Sequence, residues 1–184
     1  EPGPPSIPLI FRLSTMSENS KLLSGETLAF LTLRLWLGVR AFGTGLEKYT
    51  ETLRIQKPLI DPVTGMEDPS GAMVEVTQKV YGLSHYKALP PALATKFANE
   101  PLLPDWALSI FSACLGPALL ILGLTTLLGV ATRTSLFVQG LLYSGLMFGL
   151  MLINQNDGVA WLGIHTLIVA GALCLCAHNR FAIW

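Results

Sequence analysis

The stretch WALSIFSACLGPALLILGLTTLLGVA, residues 106–131, decides the fold because it carries no charge over a length that can cross a bilayer. A helix rises about 1.5 Å per residue, so roughly 20 residues span the hydrocarbon core. Further apolar stretches of similar length occur at residues 27–46, 135–153 and 159–177. Lipid offers the backbone no hydrogen-bond partners, so each stretch must satisfy its own amides as a helix. The pattern predicts an all-α integral membrane protein, a four-helix bundle with a long loop between its first and second spans.

The composition supports this prediction and excludes one class of partner. Of the 184 residues, 51% are hydrophobic and only 13% are charged, against about 25% charged in an average soluble domain. Four spans leave room for one bundle and one sizeable loop, so we expect a single domain over residues 1–184. Basic and acidic residues balance at 12 each, so no basic excess points to nucleic acid. The expected partners are the lipid bilayer and other membrane-protein subunits.

Short connecting segments predict the orientation in the membrane. The turn after the second span contains Arg133 and the C-terminal tail contains Arg180, whereas the turn at residues 154–158 has no basic residue. By the positive-inside rule, both termini are then cytoplasmic. The loop over residues 47–105 would form a cap on the extracytoplasmic side.

This loop and the start of the chain suggest contact with partners. Helical spacing predicts a short helix over residues 72–83, and two prolines at the first turn predict another over 88–97. The apolar residues of the predicted helix over residues 72–83 are Met73, Val76, Val80 and Leu83. A structureless loop of this length is uncommon, so we expect it to lie on the bundle or on a partner. The proline-rich segment 1–15 does not have the pattern of a signal peptide, and we expect it to pack against another subunit.

The first span carries the most distinctive polar pattern. Arg34, Gly38, Gly45 and Lys48 fall on one helical face, and small residues let another helix or a flat ligand approach closely. Intramembrane cations usually face protein, water or a polar ligand. The cations could hold an anionic headgroup, a quinone carbonyl or the carboxylate of another subunit. Alternatively, they snorkel to the headgroups or tie helices together.

Polar side chains in the third and fourth spans are the other candidate ligand-binding residues. Gln139 and Tyr143 lie near one face of the third span, where such groups commonly tie helices together. His165 is the one histidine within a predicted span. A neutral imidazole can be an axial ligand to haem iron or chlorophyll magnesium, or can hydrogen-bond a quinone, and it can also be a packing residue. The sequence contains no recognisable catalytic or multi-residue metal motif.

The first span resembles that of the DoxX-like membrane proteins. In LRLWLGVRAFGTGLEK, residues 33–48, an Arg is followed four residues later by Gly, then by an aromatic residue, Gly and Lys. The run LGLTTLLGVATR, residues 122–133, is similar to the family's Gly-rich helix ending in Gly-x-x-Thr-Arg. The resemblance implies a four-helix bundle in the bacterial inner membrane. Some relatives form the membrane subunit of thiosulfate:quinone oxidoreductase, and Arg34, Gly38, Gly45 and Lys48 match the family's first-span signature.

Two departures from that pattern shape the functional expectation. Many relatives carry an acidic residue within the second span, whereas this chain has none between Asp105 and Asp157, and its first loop is enlarged. We therefore expect a non-catalytic membrane subunit that packs into a larger electron-transfer complex. One alternative is a quinone-reducing subunit with Arg34 and His165 near the headgroup. The other is a haem- or chlorophyll-binding subunit that uses His165.

Overall fold

The computed structural model describes residues 24–60, 64–67 and 70–183. The expected contact of segment 1–15 with other subunits lies outside these residues. The helices and strands are α1 Gly25–Glu47, β1 Thr50–Pro58, β2 Met73–Tyr81, α2 Pro91–Ala98, α3 Asp105–Leu128, α4 Thr132–Leu152 and α5 Asn156–Cys174. Single 3-10 turns follow β2, at Leu83–His85, and α5, at Cys176–His178.

Within the described residues, three helices are long and apolar enough to cross a membrane, namely α3, α4 and α5. Their outer faces expose large apolar side chains such as Ile121, Phe148 and Leu167, as lipid-facing surfaces do. These helices indicate a membrane protein. α1 has 23 residues, but its internal arginines make it less apolar, and the four-span bundle stays a prediction.

α1 packs closely against α3 because glycines remove the side chains at the crossing. A Cβ atom added to Gly38 would lie 2.6 Å from Leu127 Cγ, and one added to Gly45 would lie 2.9 Å from the backbone nitrogen of Leu120. On the opposing helix, a Cβ at Gly123 would overlap the backbone of Phe42. The two helix backbones therefore approach within a distance that only small residues allow.

Short turns connect the three apolar helices. α3 ends at Gly129, whose φ of 75° places it in the left-handed region that glycine adopts without strain. Val130 then donates its amide to the carbonyl of Thr125 at 2.9 Å, which completes a glycine-based helix C-cap. The buried core lies between the helices and includes Phe30 and Leu37 from α1 and Leu136 from α4.

The structure is mostly helical, as predicted, but the all-α prediction fails in the first loop, which contains an antiparallel β-hairpin. The predicted helix over residues 72–83 is instead strand β2, which pairs with β1 in a register that places Ile55 opposite Val76. The β-branched residues of β2 alternate with polar ones, and β-branched side chains favour strands. The predicted second loop helix is present as α2 at Pro91–Ala98.

The segment between the hairpin and α3 lies against one end of the bundle. The Tyr86 hydroxyl donates a hydrogen bond to the carbonyl of Ser112 and accepts one from the amide of Gly116 at 3.1 Å. Phe97 of α2 is buried and lies next to Gly149 of α4. These contacts hold α2 over the end of the bundle where α1 finishes.

Candidate functional site

A cavity of about 620 Å³ lies between α1, α3, α4 and α5, and the start of α2 closes one side of it. Leucines of α3 and α4 make most of its wall apolar, while charged and aromatic side chains line the rest. A mostly apolar cavity with a few polar groups is typical of small-molecule sites between the helices of a bundle.

His165 lines this cavity and carries a buried hydrogen-bond acceptor that has no partner among the described residues. The side chain is 6% exposed, and its Nδ1 lies 2.7 Å from the carbonyl oxygen of Trp161. Because a carbonyl only accepts, Nδ1 carries the proton and Nε2 of the neutral ring carries the lone pair. No described residue bonds to this buried Nε2. A buried polar atom without a hydrogen bond costs free energy of folding, so the position suits a ligand that donates a hydrogen bond.

Tyr143 offers the complementary group beside it. The Tyr143 ring meets the His165 ring edge to face, with 5.8 Å between the ring centroids. Its hydroxyl oxygen accepts a hydrogen bond of 2.7 Å from Gln139 Nε2, and no described residue accepts the hydroxyl proton. The cavity therefore presents one donor, from Tyr143, next to one acceptor, from His165.

Gln139 holds Tyr143 in place and does not itself line the cavity. The side chain is fully buried in the interior of the bundle. Its Nε2 donates a second hydrogen bond to the carbonyl of Leu37 at 3.2 Å, and its Oε1 accepts one from Thr126 Oγ1 at 3.4 Å. The amide thus links α1, α3 and α4, which is the helix-tying role that polar residues in membrane bundles commonly have.

Two cations from α1 add positive charge to the cavity wall. Arg40, Thr44 and Lys48 line it in an i, i+4, i+8 row, one helical turn apart. The ion pairs of the described residues do not involve Arg40 or Lys48. Burial lowers the pKa of Lys48, although the neighbouring carboxylate of Glu47 opposes this shift. These cations favour a ligand that carries, or develops, negative charge.

The seven residues expected from sequence separate into three places. Lys48, Tyr143 and His165 meet at the cavity, and Gln139 supports them from behind. Gly38 and Gly45 lie at the α1–α3 contact instead. Arg34 is at the opposite end of the bundle, where it contacts the C-terminal segment.

Arg34 binds neutral oxygen atoms at that end. Its side chain is buried at 5% exposure, and one terminal nitrogen donates to Asn179 Oδ1 and to the carbonyl of Phe181, both at 2.8 Å. Asn179 in turn donates to Thr132 Oγ1 at 2.9 Å. The guanidinium therefore ties the C-terminal segment to α1 and α4, and it does not reach the cavity.

Among the lining residues that were not in the expected set, those with charged or aromatic side chains are Trp36, Arg40 and Trp161. The signal for two of them was in the sequence, since Trp36 and Arg40 begin the same i, i+4 row that reaches Lys48. Both tryptophans are largely exposed, at 53% for Trp36 and 64% for Trp161. They flank the cavity and give it a flat aromatic border.

Metal-binding clusters of three or more His, Cys, Asp or Glu residues do not occur in the part of the chain that the structure describes. Cys114, Cys174 and Cys176 are free thiols. His85 is occupied by an ion pair with Glu51 at 2.7 Å. Axial ligation of haem or chlorophyll by His165 therefore rests on a single side chain and stays a prediction.

A smaller cavity of about 270 Å³ lies between α2, α3 and α4. Its wall is apolar, with Phe97, Phe111 and Phe148 among the lining residues. Leu146 lines both cavities, so the two are neighbours. The arrangement offers an apolar compartment beside the polar groups of the larger cavity.

No protein-family model matches this chain, and neither the curated proteins nor the solved structures contain a match to it.

Proposed function

We propose that the chain is a membrane subunit that binds a quinone in the larger cavity and works within an electron-transfer assembly. The observation that carries the proposal is the pair formed by Tyr143, with an uncommitted hydroxyl proton, and His165, with a buried acceptor nitrogen. A quinone carbonyl accepts a hydrogen bond, and a quinol hydroxyl donates one. A cavity with both groups side by side suits both redox states of such a ligand.

The remaining wall fits the rest of a quinone. Arg40 and Lys48 stabilise negative charge that develops on the ring oxygens as electrons arrive. Trp36 and Trp161 provide flat surfaces for the ring, and the smaller apolar cavity adjoins the larger one at Leu146. Its apolar wall suits the beginning of an isoprenoid chain.

The need for an assembly follows from the redox balance. Converting a quinone into a quinol requires two electrons and two protons, and Tyr, His, Arg and Lys are not reductants. The electrons must come from a redox partner, which we propose is another subunit. The resemblance of residues 33–48 and 122–133 to DoxX-like proteins supports the same setting, because some of those relatives form a quinone-linked membrane subunit. It also supports the bacterial inner membrane, and the positions of Arg133 and Arg180 favour cytoplasmic termini.

A cavity-filling variant tests this proposal. Thr44 lines the cavity, so Thr44→Phe places an aromatic ring in the proposed ligand volume. Thr32 is on the same helix but is exposed, so Thr32→Phe is the matched control. We expect protein purified from membranes in mild detergent to yield extractable quinone, with Thr44→Phe depleted at least tenfold and Thr32→Phe unchanged. Equal quinone in both variants, or none in the wild type together with no uptake of decylubiquinone, would contradict the proposal.

A second candidate function is the non-catalytic one, in which the chain only holds a larger electron-transfer complex together. The exposed hairpin favours it, since a protruding surface with large apolar side chains is typical of interaction sites. The proteins that copurify in mild detergent distinguish the two. A stable complex that contains redox subunits but binds no quinone at this chain would favour the docking role.

A further inference from the structure

None of the described residues pairs with the outer edge of strand β2. Within the described residues the sheet has only two strands, β1 and β2. Every residue of β2 is exposed except Val80, which is half-buried. A two-stranded hairpin is marginally stable by itself, and an unpaired edge presents backbone donors and acceptors to an incoming strand.

The hairpin also has one apolar face. The register places Leu53 opposite Gln78, Ile55 opposite Val76 and Lys57 opposite Val74. Side chains alternate between faces along a strand, so the larger aliphatic residues share one side. These are Leu53, Ile55, Val74, Val76 and Val80. Of these, Leu53, Val74 and Val76 are exposed, whereas Ile55 and Val80 are half-buried, so the described residues cover this face only in part.

The sequence of β2 is complementary to itself when read in the opposite direction. If two copies align antiparallel with Thr77 opposite Thr77, then Glu75 of each copy faces Lys79 of the other. In the same register Val74 faces Val80, and Met73 faces Tyr81. Cross-strand pairs of opposite charge and apolar pairs both stabilise a sheet.

Other registers of β2 lose this complementarity. A shift of two residues places Glu75 opposite Thr77 or Tyr81, which removes the charge pair. A shift of one residue turns every side chain of one copy to the other face. The register centred on Thr77 is therefore the one that matches charges and keeps the apolar face continuous.

The outer edge of β1 is a poor alternative. The register that would pair Glu51 with Lys57 also places Arg54 opposite Arg54, and like charges directly opposite destabilise a sheet. Pro58 at the end of β1 has no backbone N–H to donate.

We propose that two copies of this chain pair through β2, antiparallel and centred on Thr77, to form a four-stranded sheet across a twofold axis. The partner that this edge fits is a second copy, because the charge pattern is matched by its own sequence. The isologous arrangement is the commonest symmetry of homo-oligomers. This inference rests on the hairpin alone and does not depend on quinone binding.

Disulfide trapping tests the pairing directly. In a full-length background with Cys114→Ser, Cys174→Ser and Cys176→Ser, Thr77→Cys places two thiols at the twofold axis. Directly paired residues have Cα atoms about 4.5–5.5 Å apart, within disulfide range. Thr52→Cys is the matched control, since Thr52 is exposed on the same face of β1. In the dimer its two copies are three strand spacings apart, about 14 Å across the sheet, and are also offset by about four residues along the strands.

We expect oxidation of the membranes to give a disulfide-linked dimer with Thr77→Cys and less than about a tenth as much with Thr52→Cys. Absence of a dimer with Thr77→Cys, equal yields from both variants, or a crosslink to a different protein would overturn the proposal.

A charge exchange provides a test without cysteines. Lys79→Glu places like charges opposite each other at two symmetric positions, so we expect the dimer dissociation constant in detergent to rise about tenfold. Combining it with Glu75→Lys restores opposite charges and should return the constant to within about threefold of wild type. Lys57→Glu, on β1, should change it less than twofold. If the double exchange fails to rescue association while the single variants remain folded, the register is wrong.

Discussion

The variant Tyr143→Phe tests whether the larger cavity binds a ligand or is only a packing feature of the bundle. The change removes the hydroxyl that we propose donates to a quinone oxygen, and it keeps the ring that packs against His165. Gln139 loses its 2.7 Å bond to this hydroxyl but retains the carbonyl of Leu37 at 3.2 Å. The lost bond lies within α4, and the bonds of Gln139 to α1 and α3 remain, so the variant should fold.

The expected loss of affinity follows from one hydrogen bond. A typical net value of about 0.5–1.5 kcal/mol corresponds to a rise in Kd of about two- to twelvefold. Isothermal titration calorimetry with decylubiquinone in lipid nanodiscs measures it. Tyr81 is exposed on the hairpin, so Tyr81→Phe is the matched control and should stay within twofold of wild type.

The redox state of the ligand sharpens this prediction. An oxidised quinone accepts hydrogen bonds but donates none, whereas a quinol donates. His165 Nε2 is an acceptor, so His165→Phe should weaken binding of decylubiquinol by a similar factor and leave decylubiquinone within twofold. Tyr143→Phe should weaken both ligands. An unchanged Kd in Tyr143→Phe, or equal losses in Tyr81→Phe, would refute the reasoning.

Three further predictions concern stability. Gly123→Ala should lower the free energy of unfolding by about 1–3 kcal/mol in detergent, because its Cβ meets the α1 backbone, whereas Gly145→Ala, with open space around it, should be nearly neutral. Asn179→Ala removes one of the two acceptors for Arg34 and the bond to Thr132, and increased protease cleavage of the C-terminal segment should report its release. A hydrogen bond from Lys87 holds the pKa of the Glu51 carboxyl below its usual value near 4.5. This contribution to stability is present above pH 4.5 and is lost as pH falls through the folded-state pKa, so Glu51→Gln should flatten the acid loss of thermal stability near that pH.

The helices of the bundle could be predicted from sequence because uninterrupted apolar length is a local property. The predicted second span at residues 106–131 and the observed α3 at Asp105–Leu128 differ by only a few residues. The hairpin could not be predicted with the same ease. Val76 and Val80 are four residues apart, so they fit helical spacing as well as strand alternation, and the decision for a strand depends on pairing with β1.

The candidate site was predicted only in part because it depends on the rotation of α1 about its own axis, which decides the face that meets α3. The expected face of α1 ran through Gly38 and Gly45, and these residues meet α3 at close range. That contact directs the row of Arg40 and Lys48 towards α4 and α5. The sequence contained both rows, but choosing between them required the position of α3. His165 and Tyr143 were named from separate helices, and their contact is a tertiary property.

Of the two arginines that make α1 less apolar than the other long helices, only Arg34 is buried, whereas Arg40 is exposed. Arg34 is buried against the C-terminal segment, and Arg40 lines the cavity. The exposed positions of the same helix include Leu28, Leu35 and Val39, at 44%, 44% and 59% exposure. A count of charged residues does not show which side chains contact lipid, whereas the cost of placing a helix in lipid depends on the groups that face the lipid. The prediction that α1 is a fourth span therefore depends on its outward face, which carries large apolar side chains together with the exposed Thr32 and Arg40.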